Sequence, residues 1–341
     1  MRTAAPRGRL QPMPERQPRS SRAYFNYQLD SQNWEHVRLR PGDVIMASAP
    51  KVGSTWTLRI LATLIHGETL PEPLAELSPW VDRRFMTAPL EALTARLEAQ
   101  TWQRSLRSHL PFDALPYDPA VRYVCVGRDP RDVVLSLHNH YGAFTDQAIE
   151  ALNSPPGTFP VRFERATSDI HQFICEWLTR GNPNLPWETE GFPSWSVFRQ
   201  VRSFWDYRDL PNVLFVHYQD LSTDLEGEAA RIARFIAIDP NEMRMSAVRR
   251  ACNFDAMRKE GDAQNPALAS LMQGGAKTFY AKGTSGRWRN LFTPPELRLY
   301  AAAVERNLPP ECAHWLEDGR LASGVDPSTI SLREPSGSGV Q

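Results

Sequence analysis

The run Asp43-Val-Ile-Met-Ala-Ser48, followed at once by Pro50-Lys51-Val52-Gly53-Ser54-Thr55-Trp56, constrains this chain more than any other segment. Its first part is a continuous apolar stretch behind the turn signal Pro41-Gly42, as a strand buried on both faces requires. Beyond the loop, Trp56, Ile60, Leu61, Leu64 and Ile65 recur at helical spacing as far as Gly67, a residue placed to end a helix. A loop that leaves the carboxyl end of a buried strand and enters a helix collects free backbone N–H groups and the positive end of the helix dipole at one spot. That spot favours an anion. Gly53 lets the backbone approach closely, Ser54 and Thr55 add hydroxyl donors, Lys51 adds a mobile charge, and Trp56 offers a flat face for a base. The same residues also suit an ordinary turn, with Ser54 as a cap, Lys51 in solvent and Trp56 in the core. The GxxxxGK[ST] loop of nucleotide triphosphatases is absent, because the lysine precedes the glycine and no second glycine stands in frame. An ordinary kinase or ATPase is thereby demoted.

Three further strands are expected at Arg104–Ser108, Val121–Val126 and Asn212–His217. A helix is expected from about Val133, and an amphipathic one carries Leu225, Ala229, Ile232, Ala233 and Ile236. Strands alternating with helices imply an α/β fold whose parallel sheet is covered by helices on both faces. In Asn153–Trp195, prolines, glycines and the tryptophans Trp177, Trp187 and Trp195 break the periodicity, so this stretch reads as an excursion or lid. The 341 residues, 41% hydrophobic, can bury a substantial core, and residues 23–322 read as one domain. Met1–Arg22, with six arginines, four prolines and one acid, reads as a disordered basic arm, and residues 323–341 as a flexible tail.

The 39 basic and 39 acidic residues cancel, which gives no global pull toward nucleic acid or an anionic membrane and makes any anion site local. Cys125, Cys175, Cys252 and Cys312 show no CxxC pair and no zinc-site spacing, so reduced thiols in the cytoplasm and no metal are expected. No apolar run approaches the roughly 18 residues needed to span a bilayer.

The loop at Pro50–Trp56 resembles the PKSGTTW signature of the soluble sulfotransferases, and three further motifs follow in that family's order. Arg128-Asp-Pro-Arg-Asp-Val-Val-Leu-Ser136 resembles RNPRDVAVS, whose arginine and serine hold the donor's 3′-phosphate. Taken alone, Arg128 could instead pair with Asp129 or Asp132, with Ser136 facing a neighbouring helix. Phe279–Thr293 resembles RKGxxGDWKNxFT, with Lys282 and Gly283 matching, but Ala281 replaces an arginine and Arg287 an aspartate. Arg107-Ser-His-Leu-Pro111 resembles KTHLP, whose histidine is the catalytic base. Tyr218-Gln-Asp-Leu221 and Cys252-Asn-Phe254 resemble the smaller YEDL and TSF elements, the aromatic of the latter facing adenine opposite Trp56.

The resemblance implies a nucleotide-kinase-like fold and a sulfotransferase that uses 3′-phosphoadenosine 5′-phosphosulfate (PAPS) as co-substrate. It implies His109 and Lys51 as catalytic residues. Lys51, Val52, Gly53, Ser54, Thr55, Trp56, Arg128, Ser136, Tyr218, Cys252, Phe254, Lys282 and Gly283 are the implied nucleotide-binding set. His36, His66, His138, His140, His171, His217 and His314 compete with His109, whose place at the carboxyl end of a strand favours it. Trp187, Phe192 and Trp195 suit an aromatic or apolar small-molecule acceptor. The family's dimer signature falls at Arg289–Arg298, where Arg289, Thr293, Pro294 and Arg298 do not reproduce it, so the oligomeric state stays open. Two other readings remain: an idle nucleotide-binding protein of the same ancestry, favoured by Ala281, and a nucleotide kinase.

Overall fold

The computed structural model describes residues 17–85, 89–154, 159 and 161–330. Its centre is a four-stranded parallel sheet of β1 (Val44–Ser48), β2 (Ser105–Ser108), β3 (Arg122–Gly127) and β4 (Val213–His217), in the order β2-β1-β3-β4. Every residue of β1 is buried, as expected for a strand with a neighbour on each side and helices on each face. Asp43 and Arg104 stand just outside β1 and β2 rather than in them. Arg104 Nε and Nη2 reach the Asp43 carboxylate at 2.9 and 2.5 Å, a buried fork that clamps the two strand starts in register.

The main helices are α1 (Ser54–His66), α2 (Pro130–Gly142), α3 (Ile170–Thr179), α4 (Val197–Trp205), α5 (Leu225–Phe235), α6 (Glu242–Ala251), α7 (Phe254–Gln264), α8 (Pro294–Asn307) and α9 (Pro310–Ser323). Helix α1 packs on β1 and β2 and against α5 and α6, whereas α4 packs on β3 and against α8, which in turn meets α3. Parallel strands joined by right-handed crossovers that run in opposite directions from the sheet centre put their helices on opposite faces. That is the situation here, since β1 leads outward to β2 and β3 leads outward to β4. The carboxyl ends of β1 and β3 therefore flank the point where strand order reverses, the place where open α/β sheets form a crevice.

Helix α2 begins at Pro130, three residues before the expected start. Asp129 caps it by accepting from the Arg131 N–H, and proline is preorganised for the first helical position. Ser136 consequently lies in the middle of α2 rather than near its beginning. The stretch Asn153–Trp195 contains α3, capped by Asp169, and places Trp177 and Trp195 in the core at 1% exposure each. Trp187 packs edge-on against Tyr24, and Phe192 lies under the Arg180 guanidinium.

Residues 1–16 of the basic arm and 331–341 of the tail lie outside the described residues. Order extends past the expected boundaries on both sides. Ser21 and Arg22 donate backbone N–H groups to the Asp113 carbonyl, and the turn Pro327–Thr329 packs against β4. No helix among the described residues is long and apolar enough to cross a membrane.

Candidate active site

Three loops leave the carboxyl ends of β1, β2 and β3 and line one cavity with Lys51, His109 and Arg128. The segment 279–287, far away in sequence, closes it with Phe279, Tyr280, Ala281, Lys282, Gly283, Thr284 and Arg287.

The β1 loop turns sharply. Lys51 has φ 66° and Gly53 φ 107°, both in the left-handed region, and Gly53 caps α1. A side chain at Gly53 would bring its Cβ within 2.8 Å of the Tyr218 ring, so glycine is required by both conformation and space. Ser54 Oγ lies 2.7 Å from Ser48 Oγ, which ties the helix start back to the strand. Thr55 and Trp56 line the cavity. The Trp56 indole N–H donates to the Cys252 carbonyl at 2.6 Å, and its ring meets Tyr218 edge-on at 5.3 Å. Val52 and Cys252 are fully buried and do not line the cavity. Each can act there only through its backbone or by packing; the Cys252 thiol points instead to Thr63 Oγ1 at 3.5 Å.

Lys51 Nζ lies 4.0 Å over the Phe279 ring. Burial, reinforced by the guanidinium charges of Arg128 and Arg107, pushes its amine from 10.5 down to about 7. Arg128 does not pair with Asp129 or Asp132. Its Nη1 donates to the Lys51 carbonyl at 3.2 Å and its Nη2 to the Thr284 carbonyl at 3.1 Å, while the guanidinium lies 4.1 Å over Tyr218. Its Nε is buried without a partner, a donor held in the cavity wall. Asp129 is occupied by Arg131 at 2.8 Å. Asp132 reaches across from α2 and accepts the N–H groups of Gly286 and Arg287 at 2.6 and 3.0 Å, which pins the third motif beside the first. Gly283, at φ 64°, passes so close to Phe254 that a Cβ would lie 2.6 Å from that ring. Lys282 is exposed at the rim, and Ser136 and Phe254 also line the cavity.

His109 is 2% exposed and fixed on every side. Its Nδ1 lies 2.6 Å from the Ser48 carbonyl. A carbonyl only accepts, so Nδ1 carries the hydrogen and Nε2 keeps its lone pair. Arg107 Nη2 donates toward that lone pair from 2.8 Å. The His109 backbone N–H donates to Asp82 Oδ2 at 3.0 Å; Asp82 also accepts from the Trp80 and Trp34 indoles at 2.8 and 3.2 Å. Burial first, then the charges of Arg107 and Lys51, hold His109 well below its usual 6.5, so the imidazole is neutral at physiological pH. His140 also lines the cavity, and burial together with the same two cations keeps it neutral.

Sequence reasoning overlooked Asp82, Trp80 and the bridging role of Asp132. The run Ser78–Asp82 has no periodicity and becomes meaningful only because Trp80 bridges Arg107 beside β2. Trp195 approaches His109 at 5.7 Å between ring centroids, whereas Trp187 and Phe192 do not line the cavity.

Residues 41–309 match the family model described as the sulfotransferase domain. A glycolipid sulfotransferase of Mycobacterium bovis (strain BCG / Pasteur 1173P2) is 31% identical over 321 residues, which cover 89% of this chain and 96% of that one. The crystal structure of retinol dehydratase in a complex with retinol and PAP, the desulfonated nucleotide, aligns with TM-score 0.61 at 23% identity, over 82% of this chain and 85% of that one. Mouse sulfotransferase SULT7A1 complexed with PAP aligns with TM-score 0.60 at 19% identity, over 84% and 92%.

Proposed function

The chain belongs to the sulfotransferase family, and from that premise we propose that it moves a sulfuryl group from PAPS to a hydroxyl or amine of a small-molecule acceptor, with His109 as base. The observation that carries this reading is the convergence of Lys51, Arg128, Lys282 and His109, from four separate motifs, on one cavity at the sheet's reversal point. The cavity suits an adenosine phosphate. It has an unpartnered buried Arg128 Nε, two glycines whose side-chain space is taken by Tyr218 and Phe254, and no acidic lining residue among those described.

The geometry supports the following part for the protein's own residues. The loop amides at the start of α1 and the Lys51 ammonium hold the 5′-phosphate end and stabilise the charge that grows on the bridging oxygen as the sulfur–oxygen bond breaks. Arg128, Ser136 and the Lys282–Gly283 turn hold the 3′-phosphate, with Lys282 and the Gly283 amide taking the share that Ala281 cannot supply. Trp56 and Phe254 flank the adenine, and Tyr218 backs the loop. The neutral His109 accepts the acceptor's proton at Nε2, whose lone pair the acceptor hydroxyl takes over from the Arg107 guanidinium at 2.8 Å. Ser48 fixes the tautomer, and Asp82 fixes the backbone that carries the ring. As the acceptor oxygen bonds to sulfur, its proton passes to His109 and the electron pair of the broken bond leaves with the 5′-phosphate.

The relatives named for glycolipids make a hydroxylated lipid the first acceptor to test. Four free cysteines, three of them buried, support a reducing compartment such as the cytoplasm. Calorimetry with PAP, and then with ATP and magnesium, followed by transfer of labelled sulfate from PAPS to a panel of phenols, alcohols, amines and glycolipids, tests the reading. Tight PAP binding with transfer is expected. PAP binding without transfer to any acceptor supports the idle-protein reading, and ATP preferred over PAP supports the kinase.

A further inference from the structure

Six cations line the cavity, namely Lys51, Arg83, Arg107, Arg128, Lys282 and Arg287, and no Asp or Glu does among the described residues. In a chain whose charges cancel, this is a strong local surplus. A PAPS-like donor carries roughly four negative charges near neutral pH, counting close to two on a phosphate monoester. Lys51, Arg128, Lys282 and Arg287, on the first loop, the β3 loop and the third motif, match that number. Arg107 is balanced by the buried carboxylate of Asp82, whose charge favours its protonated form.

Arg83 is left over. It follows Asp82 in the chain, bridges Leu29 through its backbone, and is linked to His109 through Phe85 and Trp80, whose rings meet edge-on at 5.9 Å as Trp80 meets His109 at 4.7 Å. Its Nε donates to the Phe85 carbonyl at 3.1 Å, and its guanidinium lies 4.6 Å over the Phe85 ring. No carboxylate pairs with it among the described residues. Burial holds Arg83 below its ordinary pKa, and its charge helps, behind burial itself, to bring Arg107 down to about 10. Arg83 is half-buried, and a partly desolvated cation gains from a counter-charge that the described residues do not supply. The cavity wall also carries apolar residues, including Phe144, Leu152, Leu268 and Met272.

We propose that Arg83 receives an acidic group on the acceptor, so that the substrate is an amphiphilic acid. Its reacting hydroxyl faces His109, its body lies on the apolar wall, and its carboxylate or equivalent anion sits in the Arg83 fork. This rests on the sulfotransferase reading, and the test keeps the two apart. Two probes of the same shape, 4-hydroxyphenylacetate and 4-hydroxyphenylacetamide, are compared as sulfate acceptors. Their binding to the PAP-saturated protein is measured by calorimetry, which needs no turnover. The acid is expected to exceed the amide at least tenfold in kcat/KM or in affinity. Arg83→Gln should reduce that ratio at least tenfold and Arg83→Lys should keep part of it, with PAP affinity equal in all three proteins. An acid-to-amide ratio near one in the wild type overturns the inference. So does an Arg83→Gln variant that weakens both probes alike. Failure to bind PAP at all would instead remove the sulfotransferase reading beneath it.

Discussion

Binding of PAP at pH 8 is expected to take up close to one proton, and Lys51 is the reason. Before the nucleotide arrives, burial and the nearby guanidinium groups hold the Lys51 amine at about 7. With that value about 0.9 of the amine is neutral at pH 8 and about 0.1 at pH 6. Phosphate oxygens against the loop favour the ammonium and move its pKa back toward the ordinary range near 10.4. Binding therefore requires a protonation that becomes harder as pH rises through 7. The linked loss of affinity is about 50-fold between pH 7 and pH 9. Calorimetric titrations in phosphate and in Tris, buffers of very different ionisation enthalpy, give the proton number from the slope of the observed enthalpy. His109 and His140, held well below 6.5, are neutral at pH 8 and add nothing to the slope. Lys51→Met should bring it close to zero. A wild-type slope below about 0.3 at pH 8, or a slope that survives in Lys51→Met, would refute the charge account of the loop.

Three other substitutions separate chemistry, site assembly and folding. His109→Ala should lower kcat by at least ~10²-fold while PAP affinity changes little, because the ring contributes to proton removal; an unchanged kcat places the base elsewhere. Asp132→Ala releases the N–H groups of Gly286 and Arg287. Each bond to a charged acceptor is worth about 1.5–3 kcal/mol, so PAP affinity should fall more than tenfold. Wild-type affinity in that variant would show that the third motif holds its place unaided. Arg104→Ala leaves the Asp43 carboxylate buried and unpaired, and denaturant unfolding should register a loss of about 3–5 kcal/mol. A loss under about 1 kcal/mol would mean that water reaches Asp43 in the variant.

What could be read in the chain and what could not divide along a physical line. Strands β1, β3 and β4 were legible because a buried parallel strand is a largely apolar run, and α1 because its apolar residues recur at helical spacing, whereas β2 has only Leu106 as an apolar residue. The start of α2 lies three residues before the expected one because Asp129 caps the helix and Pro130 takes its first position, ahead of the apolar run that begins at Val133. Helix α3 was missed since its apolar residues Phe173, Ile174, Trp177 and Leu178 lie among prolines and glycines that dominate any window drawn around them. In both places a local signal was present and a stronger neighbouring one masked it.

The site divides differently. Each motif could be found alone, yet in isolation Arg128 left a local ion pair with Asp129 or Asp132 open beside the phosphate fork. The structure removes the local ion pair by giving Asp129 to Arg131 and Asp132 to the Gly286 amide, which leaves Arg128 to join two loops with one buried donor unpartnered. No spacing rule encodes that exchange of partners, because it depends on residues 154 positions apart meeting at one sheet edge. The same applies to His109. Its motif identified the residue, but its neutral state comes from burial and the charges of Arg107 and Lys51, and its tautomer from the Ser48 carbonyl on a neighbouring strand. Reactivity here is a property of the assembled sheet edge, and for that reason Arg83, which belongs to no motif, can still be read as part of the acceptor's side of the site.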